Sequence, residues 1–431
     1  MVMKIEDQRR LIASCGRVFS PSAPVNRLTL FAGRLDQLRK ITDAVNTRGR
    51  HAIMYGDRGV GKTSLANVLT DLFKDVPGMR IVKTNCVETD DFKNVWRKAL
   101  ARVEVIEELP KGDHESTSPT ERTLNEYIND ALPFGPGEVR RIVEGASNID
   151  FELVIVFDEF DRLPARDRGL FADTIKDLSD NSVSTTLILV GVARDVVDLI
   201  VEHSSIDRCV RQILMPPMSR QELEAILTNA LKHLGMTMDK EAMELIVLLS
   251  QGLPHYTHLL GQEATSKAIN AGRWNVTLAD VNEGIKEALE NTQQTVRNDY
   301  HKASQGQRKG TLFPQVLLAC ALAEVDELGY FSSADVRGPL CQITKEDYDI
   351  PNFSQHLDKF SGDESRGPVL VRWGSSRRFR FRFRNPLLRP FIIMKGLKDG
   401  SVSGDLINTI LKSARIGRDI PKDQGLLPFG K

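Results

Sequence analysis

Two short stretches hold residue types at spacings that chemistry can use. In GDRGVGKTS, Gly56 precedes Gly61-Lys62-Thr63 in the pattern GxxxxGK[ST], after the apolar run HAIMYG and before the helical pattern TSLANVLTDLF. Glycines at such a turn let the backbone of Gly56, Asp57, Arg58, Gly59, Val60 and Gly61 fold tightly, so that its N–H groups face a phosphate at the positive end of the next helix. Lys62 has the reach and charge for the β and γ phosphates, Thr63 offers a hydroxyl to Mg²⁺, and Ser64 completes the turn. In the second stretch, FELVIVFDEF, a hydrophobic strand ends in Asp158-Glu159. There Asp158 can support Mg²⁺, and Glu159 can orient or deprotonate an attacking water. Two acids at a strand end are often only a solvated end, but paired with the first motif they imply a magnesium–ATP site equipped for hydrolysis.

The elements that must position these residues are legible as apolar runs. HAIMYG (51–56), RIVKTNC (80–86), FELVIVFDEF (151–160), TTLILVGVA (185–193) and QILMP (212–216) alternate with helical patterns. They lack polar alternation, which predicts a mostly parallel sheet covered on both faces, an α/β P-loop NTPase core over 31–217 following an N-terminal segment, 1–30. A charged, Pro-containing loop interrupts it at 110–120. From 218 to 291 the pattern turns helical: Ser219 is placed to cap, Gly235 to stop, and Pro254 to open a further helix. A polar linker helix, 292–305, leads to three short helical segments, the run VLVRW, a GSS turn and a final strand. That order predicts a winged-helix domain over 306–397, followed by a loosely ordered tail, 398–431.

Composition excludes several classes. With 41% hydrophobic and 27% charged residues, and 58 basic against 58 acidic side chains, the 431-residue chain has no global nucleic-acid or acidic signature. The basic charge is instead concentrated, with eight Arg and one Lys but no acid between 366 and 395. Five scattered cysteines suggest neither a zinc site nor a disulfide framework. A polar start and the lack of any 18-residue apolar run point to a cytoplasmic protein without a membrane span.

The final strand, RRFRFRFRNP (377–386), alternates at the β period of two. Phe379, Phe381 and Phe383 share one face, which suits a core. Arg378, Arg380, Arg382 and Arg384 share the other, which suits duplex DNA, solvent at a protected edge, or a protein partner. The third helix of that domain offers Asn352, Ser354, Gln355 and His356 but only Lys359 as a cation, so its base reading is modest.

Taken in order, FAGR (31–34), the P-loop, DEF, LVGVA, SIDRCVRQILMPPMS, a helical lid with QGLP and the C-terminal hairpin resemble AAA+ ATPases of the origin-recognition type. They look equally like the bacterial relatives grouped with STAND signalling ATPases. The resemblance covers residues 30 to about 395 and implies several further roles. Phe31 to Arg34 lie beside adenine and ribose, or form a plain loop. Arg208, with Arg211 as a substitute, matches an arginine finger that reaches a neighbouring subunit's γ-phosphate, or serves a surface salt bridge. Pro254, in Gly252-Leu253-Pro254-His255, matches the GxP element that meets the nucleotide in STAND proteins, and His255 is either a phosphate contact or structural. The chain departs from the AAA+ pattern where a polar sensor residue is usual: Gly191-Val192-Ala193 stands there, with Arg194 just beyond. The usual lid arginine is also missing, which implies slow hydrolysis. The expectation is an ATP-dependent switch that assembles head to tail and couples nucleotide state to DNA, or alternatively a STAND-type signalling or defence ATPase that recruits a protein effector.

Overall fold

The computed structural model describes residues 3–21, 23–24, 32–107, 120–147, 151–193, 199–200, 206–305, 311–326, 328–375 and 378–413. Phe31, residues 110–119 of the expected loop, Arg194, Arg377 and the end of the tail lie outside the described residues. The chain forms two compact units, Ser22–Pro216 and Met1–Pro21 with Pro217–Lys431. Helix α1 (Ile5–Val18) belongs to the second of these.

The Ser22–Pro216 unit contains α2 (Leu35–Val45), β1 (His51–Gly56), α3 (Lys62–Phe73), β2 (Met79–Asn85), α4 (Phe92–Leu100), the antiparallel pair β3 (Glu104–Glu107) and β4 (Thr120–Thr123), α5 (Pro136–Ser147), β5 (Glu152–Asp158), α6 (Ala165–Asp180), β6 (Thr185–Val192) and β7 (Val210–Leu214). Its five-stranded sheet runs β2-β5-β6-β1-β7, every pair parallel. This is the parallel-sheet α/β P-loop core that the apolar runs predict. Parallel strands need helical crossovers, which cover both faces, so the strands carry apolar side chains on both sides. Ile53, Met54, Val154, Ile155, Leu187 and Ile188 are accordingly buried.

The order places β6 between the strand that feeds the glycine turn, β1, and the strand that ends in acids, β5. All three point the same way, so their carboxyl ends open on one edge, where α/β sheets bind ligands. Beneath the sheet lies an aromatic core centred on Phe171 of α6. Its ring meets those of Phe92 at 5.2 Å, Trp96 at 5.8 Å, Phe157 at 4.9 Å and Phe160 at 4.9 Å. Phe157 precedes Asp158 and Phe160 follows Glu159, so this core anchors the acidic strand end from both sides.

In the second unit, α7 (Arg220–Leu234) starts at a capping box in which Ser219 and Glu222 exchange hydrogen bonds, and it stops at Gly235 in the left-handed conformation, φ 66°. Strand β8 (Thr237–Met238), α8 (Lys240–Ser250), α9 (Pro254–Asn270), β9 (Asn275–Val276) and α10 (Leu278–Asn291) follow, with β8 parallel to β9. Helix α1 packs on α9 and α7, with the Phe19 ring against His258 at 6.3 Å.

Beyond α11 (Gln294–Ser304) come α12 (Phe313–Leu322), β10 (Phe331–Ser332), α13 (Ser333–Thr344), α14 (Ile350–Gly362), β11 (Leu370–Trp373), β12 (Arg380–Phe383), α15 (Leu388–Lys398) and α16 (Gly404–Ser413). Strands β10-β12-β11 form a small antiparallel sheet. The buried Tyr256 of α9 donates its hydroxyl to Leu387 O at 2.7 Å, tying the helical segment to the start of α15.

The Arg/Phe strand is shorter than its period-two pattern predicts. The strand spans Arg380–Phe383, with the Arg384 N–H donating to Val369 O at 2.8 Å just beyond it, and Gly374 (φ 99°) approaches the start of the strand so closely that a Cβ there would meet Arg378 O at 2.7 Å. Among the described residues, no helix is long and apolar enough to cross a membrane.

Truncating the aromatic hub, Phe171→Ala, should lower unfolding free energy by about 3–5 kcal/mol. A urea titration followed by near-ultraviolet circular dichroism checks this, with the midpoint falling and the slope unchanged.

Candidate functional site

The glycine turn is built for close backbone approach. Gly56 leaves β1 at φ 152°, where a Cβ would stand 2.5 Å from Met215 O. Gly61 caps α3 in the left-handed region, φ 96° and ψ 21°, which only glycine adopts at little cost, and it directs the first N–H groups of α3 into the turn. Arg58 at the tip is exposed, Asp57, Gly59 and Ser64 are half-buried, and Val60 is fully buried, holding the turn to the core.

Lys62, the first residue of α3, folds back over this turn. Its Nζ donates to Gly56 O at 3.0 Å and to Asp57 O at 2.8 Å. Burial pushes its pKa from 10.5 down to about 8, a shift opposed chiefly by the negative charge of Asp161 and then by Asp57 and Asp158. Thr63, beside it, brings its hydroxyl within 3.5 Å of Asp158 Oδ1. The same oxygen accepts the Glu159 N–H at 2.9 Å. A hydroxyl and a buried carboxylate this close are hard oxygen donors of the kind Mg²⁺ takes, so the residues present fit the ion. Together with the cradle and its lysine they fit a nucleoside triphosphate.

Glu159 turns away from this pair. It takes a left-handed conformation, φ 55° and ψ 36°, a strained one for a side-chain-bearing residue. Its exposed carboxylate pairs with Arg162 at 3.1 Å.

Two residues outside the motifs belong to the same cluster. Lys83, on edge strand β2, lies with its Nζ 2.8 Å from Asp158 Oδ2 and donates to Asn67 Oδ1 of α3 at 2.6 Å. It supplies the counter-charge for a carboxylate only 2% exposed. Asp161 accepts the Val192 N–H at 2.7 Å, latching the end of β6 to the turn after β5. That latch explains why Gly191 stands where a polar residue is usual: a Cβ there would approach Leu199 Cδ2 to 2.6 Å and Asp161 Oδ1 to 3.1 Å. Neither residue was legible, since a lysine within RIVKTN and an acid two residues past a DE pair are unremarkable until the strands are ordered.

Of the remaining expected site residues, Arg34 meets the glycine turn and the others fall elsewhere. Arg34 is 2% exposed and left-handed, with Nη2 donating to Val60 O at 2.9 Å and to Pro216 O at 2.6 Å, so it straps the glycine turn to the chain leaving β7. Arg208 lies just before β7, is 72% exposed and pairs with Asp180; Arg211, on β7, is exposed. Pro254, in the second unit, opens α9 at its first turn and is buried, and His255 Nδ1 lies 2.9 Å from Pro21 O.

On the hairpin, Phe381 and Phe383 are buried against Phe331, each ring pair 6.2 Å apart. Phe379 lies off the strand, half-buried beneath the Arg372 guanidinium at 4.5 Å. Arg380 pairs with Asp326 at 2.9 Å. Arg382 donates to Leu328 O at 3.2 Å and lies over the Tyr330 ring at 5.5 Å. Arg378 and Arg384 flank the strand and are exposed.

A family model described as Novel STAND NTPase 1 matches residues 25–321, well over half of the chain. Cell division control protein 18 of Schizosaccharomyces pombe is 26% identical over 189 residues, 43% of this chain and 30% of that protein, so the match spans under a third of the relative's length. The Walker-type ATPase of Pyrococcus abyssi shares the fold, with a TM-score of 0.51 at 14% identity over 87% of this chain and 99% of the other. Cdc6p from Pyrobaculum aerophilum aligns over 92% of this chain and 98% of its own at 16% identity, with a TM-score of 0.46.

Two outcomes test the cluster. Phosphate needs the charged form of Lys62 and raises its pKa, so nucleotide affinity should fall about tenfold from about pH 7 to about pH 9, with proton uptake near pH 8. Calorimetric titration in buffers of different ionisation enthalpy measures both. In the nucleotide-free protein the sign reverses: burying the lysine cation costs stability below about pH 8, and that cost disappears as pH rises through 10.5. Separately, Lys83→Met should cost about 3 kcal/mol by leaving Asp158 buried without a counter-charge, and much less in an Asp158→Asn background. Thermal melts of the four proteins complete that cycle.

Proposed function

The chain belongs to the Novel STAND NTPase 1 family, and on that premise we propose that it is a slow ATP-hydrolysing switch whose C-terminal domain is a winged helix for duplex DNA. The observation that carries the switch is the meeting of Thr63 and Asp158 at 3.5 Å beside the backbone-tethered Lys62. Mg²⁺, when bound with ATP, neutralises charge on the phosphates. The chain does the rest. The N-terminus of α3 and the glycine turn hold the phosphates, Lys62 leaves its carbonyl partners to meet them, and Thr63 with Asp158 holds the ion. Glu159 acts as base on the attacking water once it exchanges Arg162 for that water, and slow turnover follows from the missing lid arginine and from glycine at 191 in place of a polar sensor residue. Arg208, 72% exposed and held by a surface pair with Asp180, is free in energetic terms to reach a neighbouring copy, since such pairs are worth under about 1 kcal/mol.

Support for the DNA reading comes from the order α12, α13, α14 and then a hairpin, and from the arginines that the hairpin turns away from its phenylalanine core. The STAND alternative, recruitment of a protein effector, is favoured by the family and by the internal partners of Arg380 and Arg382.

Glu159→Gln should leave ATP binding intact and abolish turnover, trapping the ATP form; unchanged turnover removes Glu159 from the mechanism. Duplex binding should show a log–log salt slope of roughly −3.6 if all four arginines meet phosphates, and roughly −1.8 if only Arg378 and Arg384 do, at about 0.9 per phosphate. Indifference to DNA with ATP-driven oligomers selects the effector reading.

A further inference from the structure

Trp373 is 64% exposed at the end of β11, while Trp96 is fully buried in the aromatic core. An indole held in water on a rigid strand forgoes the burial that normally stabilises it, so its surroundings carry information. Its direct cross-strand partner is Arg380, and Arg380 also faces Ser332 across the sheet. Arg382, two residues along β12, lies on the same side, because side chains alternate faces. Tyr330, 8% exposed, lies near the indole, ring centroids 6.4 Å apart and tilted by 51°, and the Arg382 guanidinium lies over that tyrosine ring at 5.5 Å. Asp326 holds the Arg380 guanidinium at 2.9 Å. The outward face of the hairpin thus carries an exposed indole, with a second ring near it and two arginines on the same side of β12. The Phe381 and Phe383 face, by contrast, is consumed by the core.

We propose that this face stacks an unpaired nucleic-acid base on Trp373, with Arg380 and Arg382 taking the adjoining phosphates. Charge complementarity selects the occupant: Arg378 and Arg384 are exposed and Arg380 and Arg382 flank the ring, which suits a polyanion, and the exposed ring gives that polyanion a base to hold. Arg380 exchanges Asp326 for a phosphate, and surface pairs of that kind are readily exchanged. The inference rests on the nucleic-acid reading of the C-terminal domain and adds to it that the hairpin prefers a strand whose bases are open over an intact duplex.

Three ligands on the full-length protein test it: a single-stranded oligonucleotide, its duplex, and heparin as a polyanion without bases. Tryptophan emission should be quenched by the single strand, weakly altered by the duplex and unquenched by heparin, and Trp373→Phe should remove most of the quenching. Trp373→Ala should weaken single-strand binding about tenfold, with duplex binding changed less than about twofold. Because the side chain is largely exposed, unchanged far-ultraviolet dichroism and unchanged ATP binding should show both variants folded. Equal quenching by heparin, or equal losses for both DNA forms in Trp373→Ala, overturns the stacking while leaving a phosphate-binding hairpin. Wild-type protein that binds none of the three ligands overturns the nucleic-acid reading, and the stacking with it.

Discussion

The nucleotide edge of this protein is organised around one buried carboxylate. Asp158 stands at the end of β5 with almost no access to water, and its oxygens meet the Thr63 hydroxyl, the Glu159 N–H and the Lys83 ammonium. An isolated carboxylate would be costly in such a place. Its partners come from α3, from its own strand end and from edge strand β2, so satisfying this charge fixes three elements relative to one another. The aromatic core beneath, with Phe157 and Phe160 on either side of the acids, keeps the strand end from adjusting.

From that constraint the rest of the edge follows. A fixed β5 end sets the turn that carries Asp161, and Asp161 latches β6 through the Val192 N–H. Leu199 and the latch together crowd the space a side chain at residue 191 would need, so glycine stands there. The loss of a polar sensor residue is therefore the counterpart of a different device, in which an acid past the strand end holds the neighbouring strand and lowers the electrostatic cost of Lys62's burial. Arg34 performs the corresponding task on the far side, where one guanidinium fastens the glycine turn and the exit of β7 through two carbonyls.

The hairpin divides its two faces between opposite physical roles. Its phenylalanines are spent on the small core with Phe331, and its arginines are partly held by Asp326, Leu328 O and Tyr330. A cation ladder that looks wholly available in the sequence is therefore partly engaged within its own fold, and Trp373 stands 64% exposed beside it.

The local chemistry was legible in the sequence because it is encoded locally. A glycine turn between a strand and a helix, two acids at the end of an apolar run, a capping serine ahead of a helical pattern, and a period-two arginine ladder each depend on neighbours within a few residues. The apolar runs likewise predict the parallel sheet, since only strands covered on both faces lack alternation. What only the tertiary structure decided was contact between residues distant in the chain: that β6 lies between β1 and β5, that Lys83 answers Asp158 across 75 residues of sequence, that Leu199 and Asp161 crowd residue 191, and that the arginine strand spans only Arg380–Phe383. Strand order and side-chain pairing across it are set by the packing of the whole sheet, and no short-range pattern records them.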